Sequence, residues 1–188
     1  MAAPLALHLH LPKTKTAIRP FAPTESEYEA MSQEANNPLI SKWMRNAFPS
    51  PYTPESAKGW VAFANSQTPI RDFAICDAET DVIIGAIGLK FRDDIQYRTM
   101  ELGYWIGERH WGKGIATEVV SVFSNWVFEN FGHVVRLEAE VFEGNEGSVK
   151  VLEKAGFVYE GRKRKAVEKG GIVLDTVIYG FLRTVPSP

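Results

Sequence analysis

Short runs rich in apolar residues, bounded by turn residues, recur along the chain, and this pattern predicts strands. Three of the runs follow one another directly in the middle of the chain, and later runs are separated by helical sequence. The tetrapeptide at residues 78–81 suits a hairpin turn between two of the central runs. About seven strands are therefore expected, at residues 16–21, 72–77, 82–91, 97–106, 134–142, 157–165 and 172–183.

Capping residues and apolar residues at helical spacing predict about four helices. Thr24 suits the N-cap of the first helix, and Thr53 with Pro54 at the first helical position opens the second. The longest helix places Phe123 on an apolar side and polar residues, Ser124 among them, on the other side. The helices are expected at residues 24–35, 53–65, 113–131 and 146–155, with a short helical piece near 39–45.

The 188 residues suit one domain, because domains typically contain about 100–200 residues. Antiparallel strands come first along the chain, and strand, helix, strand, helix and strand follow. This order predicts a mixed α/β (α+β) fold. Residues 1–14 are expected to be a flexible or strand-adding N-terminal arm, residues 15–184 the domain, and residues 185–188 a tail.

Charge and cysteine content argue against several classes of function. Twenty-one basic and 23 acidic residues give a net charge of −2, which offers no basic field for a nucleic acid or an anionic membrane. The single cysteine, Cys76, cannot form an internal disulfide or a thiolate zinc site. His8 and His10 have no carboxylate or cysteine cluster beside them, so no metal is expected. No signal peptide is recognisable, and a cytoplasmic location is expected.

A glycine-containing loop between a strand and a helix is the most informative segment. Gly112 and Gly114 permit positive φ and a close approach of the backbone to a ligand. The free amides of the following helical turn favour an anion such as a pyrophosphate, with Arg109 and Lys113 adding positive charge. The Walker pattern and the third glycine of the dinucleotide fingerprint are both absent. The loop alone is equally compatible with an ordinary tight turn.

A second motif, at the correct distance along the chain, changes that interpretation. Asn145, Ser148 and the run 153–157 (Glu-Lys-Ala-Gly-Phe) follow the next strand. The two motifs together resemble the GNAT superfamily of acyl-CoA-dependent N-acyltransferases. Segments 104–106, 111–114 and 156–161 resemble the branch that contains ribosomal-protein N-terminal acetyltransferases and small-amine acetyltransferases. The resemblance covers roughly residues 19–182 and implies that 15–184 is one GNAT domain with splayed central strands.

The resemblance implies acetyl-CoA as cosubstrate and suggests its contacts. The backbone of the strand 104–106 would bind pantetheine, and one of its amides would hold the thioester oxygen. The loop amides would bind pyrophosphate, and Asn145 would contact the cofactor arm, although Asn145 also suits the N-cap of the next helix. The implied cofactor-binding residues are Tyr104, Trp105, Ile106, Arg109, His110, Trp111, Gly112, Lys113, Gly114, Ile115, Ala116, Asn145 and Ser148.

The acceptor amine must lose a proton before it attacks, because an ammonium has no free electron pair. Glu101, which precedes the implied pantetheine strand, is the candidate base, and a solvated strand carboxylate is the alternative. Glu138 and Glu140 form the second candidate pair. Many members of the family carry a tyrosine that protonates the departing thiolate, but the corresponding residue here is Leu152. Ser148 or a bound water is left for that role.

The expected function is acetyl transfer from acetyl-CoA to a primary amine by direct attack in a ternary complex. The acceptor is a small amine or amino acid derivative, which we favour, or a protein N-terminus. A non-catalytic acyl-CoA sensor and, more remotely, a nucleotide-binding protein are the alternatives. A monomer or a homodimer is expected.

Three side chains away from these motifs are expected to have structural roles. Cys76 is expected to be a buried, inert thiol, and Trp60 and Phe63 are expected to pack in the core. The linker at residues 43–52, which ends at Tyr52, is a candidate for the lining of the acceptor pocket.

Overall fold

The structure, a computed structural model, describes residues 7–184. Residues 1–6 of the predicted arm and the predicted tail at 185–188 lie outside the described residues. The strands are β1 (Leu9–Leu11), β2 (Thr16–Arg19), β3 (Asp72–Asp77), β4 (Ile83–Phe91), β5 (Thr99–Ile106), β6 (Arg136–Phe142), β7 (Val158–Lys169) and β8 (Ile172–Leu182). The helices are α1 (Glu25–Ala35), α2 (Pro38–Ser41), α3 (Pro54–Ser66), α4 (Ile115–Asn130) and α5 (Glu146–Lys154).

One sheet holds all eight strands, in the order β1-β2-β3-β4-β5-β6-β8-β7. β6 runs parallel to β5, and the pairs β1–β2, β2–β3, β3–β4, β6–β8 and β7–β8 are antiparallel. A mixed, mostly antiparallel sheet with helices confirms the predicted fold class. Among residues 7–184, no helix combines the length and the apolar composition needed to cross a membrane.

Residues 7–184 contain eight strands and five α-helices, against about seven and about four predicted, and the two additional elements lie in the predicted strand-adding arm and at the start of the predicted short helical piece at 39–45. β1 forms because Leu9 to Leu11 pair with β2, Leu9 lying opposite Ile18. α2 is a separate short helix because Asn37 caps it, its Oδ1 accepting a hydrogen bond of 2.8 Å from the Leu39 amide, and Pro38 occupies its first turn. β7 extends four residues beyond its predicted end because a Gly170-Gly171 turn with positive φ at both residues pairs Lys169 with Ile172.

The chain forms two compact units. The first contains the described residues up to Gly88 together with Tyr104–Val119, and the second contains Leu89–Gly103 with the described residues from Val120 onward. β4, β5 and α4 contribute residues to both units.

The core of the first unit consists of apolar residues from α1, α3 and the strands that the unit contains. Met31, Val61 and Ile83 are fully buried there. Trp60 and Phe63 contradict the prediction: they are 39% and 49% exposed, and their rings lie 5.5 Å apart. The reason is the helical phase, since α3 turns its small residues Ala57, Val61 and Ala64 inward and leaves the two aromatic side chains outside.

An aromatic cluster forms much of the core of the second unit. The rings of Phe91, Phe131, Trp126 and Phe123 follow one another in this order at centroid distances of 5.4–5.8 Å. Ser124 contradicts its predicted place on a polar face, because it is fully buried. α4 is buried over a wider arc than its sequence pattern indicates, since Val120, Val127 and Phe128 are buried as well as the predicted apolar residues.

Candidate active site

The predicted loop connects β5 to α4 within the first unit. A 3₁₀ turn at Glu108–His110 follows β5, and Gly112 and Gly114 take φ values of +73° and +78° just before α4 begins. A Cβ at either glycine would meet no atom within 4 Å, so the space beside the loop backbone is open. Trp111, although exposed, fixes the loop by donating a hydrogen bond of 2.7 Å from Nε1 to the Ile106 carbonyl.

The amides at the start of α4 can bind an anion. Ile115, Ala116 and Thr117 occupy the first helical turn, where backbone N–H groups have no acceptor within the helix. The positive end of the helix dipole lies at the same place, and Lys113 stands exposed in the loop. The arrangement suits the pyrophosphate that the sequence motif suggested.

Tyr104, Trp105 and Ile106 form the last residues of β5, in the same unit as the loop. Trp105 is only 7% exposed and its ring lies 6.2 Å from that of Phe48, and Ile106 is also buried. These two side chains belong to the core, so what they can offer a ligand is their backbone. The Gly107 amide donates a hydrogen bond of 2.9 Å to the Ile84 carbonyl of β4.

Arg109 and His110 contact a carboxylate that the sequence did not mark. Glu34, near the end of α1, forms an ion pair with Arg109 Nη2, and its Oε1 lies 3.3 Å from His110 Nε2. Glu34 lies 75 residues before Arg109, in a polar stretch of sequence. No local pattern in that stretch predicted the contact.

Glu101 lies on β5 within the second unit and is only 9% exposed. Its Oε2 accepts a hydrogen bond of 3.1 Å from Arg92 Nη2, and its Oε1 lies 3.9 Å from Lys90 Nζ. Both cations lie at the end of β4: Lys90 is within the strand, and Arg92 directly follows its last residue. The candidate base is therefore held in ion pairs with Arg92 and Lys90, and the sequence did not predict either partner.

The second candidate pair of carboxylates lies on β6 of the same unit. Glu138 is opposite Glu101 in the parallel β5–β6 register and lies 3.5 Å from Arg92 Nη2 and 3.1 Å from Arg136 Nη2. Glu140 accepts a hydrogen bond of 2.6 Å from the Thr176 hydroxyl. Both side chains are mostly buried, and both engage neighbouring polar groups.

Arg136 extends this row of charges across the sheet to β7. Its guanidinium binds Glu160 on β7 as well as Glu138, and a Cβ on Gly180 of β8 would collide with this pair. The hydrogen bond from Arg136 lowers the pKa of Glu160, and the same pair raises the pKa of Arg136. Glycine at position 180 thus leaves room above β8 for the ion pair between Arg136 on β6 and Glu160 on β7.

The second motif lies at the start of α5, also in the second unit. Asn145 is the N-cap of this helix, its Oδ1 accepting a hydrogen bond of 3.2 Å from the Ser148 amide. Asn145 and Ser148 are partly exposed, whereas Leu152 is fully buried. The position at which relatives were expected to carry a tyrosine is thus occupied here by a core side chain.

The structure groups the predicted site residues by unit. Tyr104 to Ala116 belong to the first unit, and Glu101, Asn145 and Ser148 belong to the second. Within residues 7–184, no cluster of three or more His, Cys, Asp or Glu side chains is arranged to hold a metal ion.

Comparison with known proteins gives consistent matches. Residues 16–158 match a family model described as an acetyltransferase (GNAT) domain. The N-acetyltransferase p20 of Bacillus licheniformis is 30% identical over 159 residues, which cover 82% of this chain and 86% of p20.

Solved structures show the same fold. The ribosomal-protein-S5-alanine acetyltransferase from Vibrio fischeri has a TM-score of 0.76 at 23% identity, with 93% of this chain and 96% of that chain covered. RimJ of Mycobacterium smegmatis, solved in complex with CoA-disulfide, has a TM-score of 0.78 at 20% identity, with coverages of 93% and 85%. Because the family model covers most of this chain and p20 matches along most of both lengths, the chain belongs to the GNAT family of acetyltransferases.

Proposed function

We propose that this enzyme transfers the acetyl group of acetyl-CoA to the primary amine of a small molecule, by direct attack in a ternary complex. The observation that carries the proposal is the loop before α4, where Gly112 and Gly114 hold positive φ beside open space. Such a backbone can approach a diphosphate closely, and the first turn of α4 supplies amides and a dipole of the matching sign.

The proposed cofactor contacts follow the chain from β5 into α4 and then to α5. The amides of residues 112–114 would bind the pyrophosphate, and Ile115 and Ala116 would continue that row of donors. Of the amides expected at 109–114, those of His110 and Trp111 already donate to the carbonyls of Gly107 and Glu108, at 2.9 and 3.0 Å. Tyr104, Trp105 and Ile106 would bind pantetheine through their backbone, which fits the burial of two of their side chains. One of these amides would stabilise the negative charge that develops on the thioester oxygen. Asn145 and Ser148 would contact the cofactor arm.

Glu101 is the proposed general base. A free primary ammonium has a pKa of about 10, so a carboxylate that accepts its proton frees the electron pair for attack. The nitrogen then bonds to the thioester carbon, the C–S bond breaks as the tetrahedral species collapses, and the extra proton on the nitrogen passes to water or to the departing thiolate. Arg92 donates a hydrogen bond of 3.1 Å to the Glu101 carboxylate and so fixes its orientation.

The thiolate of CoA is a good leaving group in this reaction. A thiol of the cysteine type has a pKa near 8.5, so the thiolate leaves without obligatory protonation. Leu152 cannot donate a proton, and Ser148 or a water molecule is the proposed donor. This step therefore contributes less to the barrier than the deprotonation of the amine.

The pairing of the carboxylates in the second unit supports the proposed acceptor class. Glu101, Glu138 and Glu140 each lie within 4 Å of a basic side chain, so this face has few negative charges left for a long basic polypeptide. A small amine that engages one carboxylate suits such a surface. A protein N-terminus is the second candidate, because the named substrate of the Vibrio fischeri relative is an alanine of ribosomal protein S5.

The test is the release of free thiol from acetyl-CoA in the presence of a panel of acceptors. The panel contains polyamines, amino acids, aminoglycosides, aromatic amines and N-terminal peptides, and each reaction is run with the wild type, Glu101→Gln and Glu129→Gln. Glu129 is an exposed acid on α4 and serves as the matched control. We expect release with one class of small amine and a loss of about a hundredfold in kcat for Glu101→Gln alone.

Other results would change the assignment in defined ways. Full activity in Glu101→Gln would remove Glu101 as the base and make Glu138→Gln the next variant. Release with N-terminal peptides only would establish the second candidate. Tight CoA binding with no transfer to any acceptor would support an acyl-CoA sensor and contradict the proposed reaction.

A further inference from the structure

A buried carboxylate on α1 contacts three residues that precede Gly112 and Gly114 in the loop before α4. Glu34 has only 4% of its side chain exposed and forms an ion pair with Arg109. His110 lies beside the same oxygen, with its Nε2 at 3.3 Å. Gly107 completes the contact, because a Cβ at this position would overlap Glu34 Oε2. All four residues belong to the first unit.

We propose that Glu34 is a positioning residue for the binding of acetyl-CoA. The Glu34 carboxylate holds segment 107–110 in place, so that the loop amides are oriented towards the pyrophosphate site before acetyl-CoA binds. The inference rests on the proposed function, since it assigns the loop to acetyl-CoA. Glu34 touches no reacting atom and acts only through Arg109, His110 and Gly107.

Support before the two glycines matters because glycine adds backbone freedom to a loop. Gly112 and Gly114 have more accessible conformations in an unsupported loop than any other residue type, and fixing them on binding costs conformational entropy. A loop that is already ordered avoids most of that cost, so the ligand binds more tightly. An anchor immediately before the glycines is the place where support has the greatest effect.

A second contact ties the same turn to the region after α1. Asn37 donates a hydrogen bond of 2.6 Å from Nδ2 to Glu108 Oε2, while its Oδ1 caps α2. The 3₁₀ turn at Glu108–His110 is thus held at two points, one of them buried. At the Glu34 point the carboxylate is withdrawn from solvent, and charged hydrogen bonds gain strength away from water.

The charge balance also suits a neighbouring anion. A bare carboxylate beside the pyrophosphate would repel it, but Arg109 neutralises Glu34. The Arg109 side chain is 63% exposed, so it lies on the solvent side of the carboxylate. Arg109 therefore serves the site through Glu34, in addition to any attraction for the ligand.

Glu34→Gln tests the proposal with almost no change in side-chain shape. The affinity for CoA is measured by titration calorimetry, and the steady-state constants for acetyl-CoA are measured with the acceptor identified by the panel. We expect the Kd for CoA and the KM for acetyl-CoA to rise about tenfold, the effect of one weakened charged hydrogen bond. At saturating acetyl-CoA, kcat should stay within twofold of the wild type, because the reacting groups are untouched.

Gly107→Ala supplies an independent route to the same effect. The backbone at Gly107 has φ −55° and ψ 140°, which alanine adopts without strain, so only the new methyl group matters. It should displace the Glu34 carboxylate and raise the Kd for CoA to a similar extent. In a Glu34→Ala background the methyl group has no carboxylate to displace, so Gly107→Ala should then change the Kd by less than twofold.

Two matched controls separate positioning from general stability. Glu27→Gln removes another buried carboxylate on α1, one that pairs with Arg19, and Gly59→Ala adds a methyl group in open space on α3. Both should leave the Kd for CoA within twofold of the wild type.

Each remaining outcome counts against a stated claim. An unchanged Kd in Glu34→Gln and Gly107→Ala, with normal binding by the wild type, overturns the role of Glu34 and leaves the proposed function intact. Tighter binding by Glu34→Gln also overturns it, because Arg109 would then be a ligand that Glu34 restrains. A wild type that does not bind CoA overturns both proposals together.

Discussion

Cys76 shows at the scale of one residue how burial controls chemistry. The thiol lies on β3 with no exposed surface, and burial raises its pKa to about 12. The prediction of a buried thiol is thus confirmed. At pH 8 only about one thiol in ten thousand would be ionised, and thiolate is the reactive form.

We therefore expect Cys76 in the native protein to resist a chromogenic disulfide reagent at pH 8 for hours. In 6 M guanidinium chloride one equivalent of thiol should react at once, because the chain contains one cysteine. Rapid reaction of the native protein would show that β3 opens readily.

Asn145 has two proposed roles, as a helix cap and as a cofactor ligand, and one substitution separates them. Serine is also a good N-cap, so Asn145→Ser should keep the stability within about 0.5 kcal/mol. It lacks the amide, so the Kd for CoA should rise about fivefold, the effect of one hydrogen bond. Urea unfolding and calorimetric titration give the two values. Unchanged affinity would leave Asn145 as a cap only.

At the scale of secondary-structure elements, one buried ion pair joins β2 to α1. Arg19 and Glu27 form two parallel hydrogen bonds of 2.9 Å, and Arg19 Nε donates another of 2.7 Å to Asp81. This pairing raises the pKa of Arg19, with the Glu27 hydrogen bond as the largest cause. Both members of the Arg19–Glu27 pair are largely withdrawn from solvent.

Glu27→Gln should lower the free energy of unfolding by about 3 kcal/mol, because it removes the buried carboxylate of the Arg19 pair and leaves only the exposed Asp81 as counter-charge. The value is measured by urea denaturation at pH 7. Glu29→Gln, an exposed change on the same helix, should stay within about 0.5 kcal/mol of the wild type. Equal values for the two variants would contradict a stabilising role for the pair.

Local features of these elements were predictable, and contacts between distant residues were not. Thr24, Thr53 and Asn145 cap their helices as predicted, because a cap depends on a few consecutive residues. The family resemblance, drawn from two short motifs, is confirmed.

The contacts of Glu34 with Arg109 and of Arg92 with Glu101 had no local signal, because folding alone brings these residues together. The burial of Ser124 and the exposure of Trp60 depend on what packs against each helix. A pattern of apolar residues predicts which side of a helix is buried, but not how far the buried surface extends around the helix.

At the scale of the whole molecule, carboxylates in both units link stability to pH. In the first unit, hydrogen bonds from Thr80, the backbone amide above all, lower the pKa of Asp77 from 3.8. In the second unit, the hydrogen bond from Arg136 lowers the pKa of Glu160 from 4.5. The folded chain therefore binds these protons less readily than the unfolded chain does.

Stability should accordingly be fully present above about pH 5 and should fall as the pH drops below 4.5 and through the lowered pKa values of the folded carboxylates. The melting temperature, followed by circular dichroism between pH 7 and pH 3, checks this. Asp77→Asn keeps an oxygen acceptor but loses the charge, so its melting temperature should fall less steeply with acid. A parallel fall in both proteins would remove Asp77 from the linkage.

The inaccessible thiol on β3 also makes the protein suitable for site-specific spectroscopy. A cysteine introduced at Lys113 would be the one readily alkylated position, because the native sulfhydryl is shielded. A fluorophore or a spin label attached there would report directly on the neighbourhood of Gly112 and Gly114. Changes in its anisotropy or line shape on adding CoA would follow occupation of the loop in solution without a coupled assay.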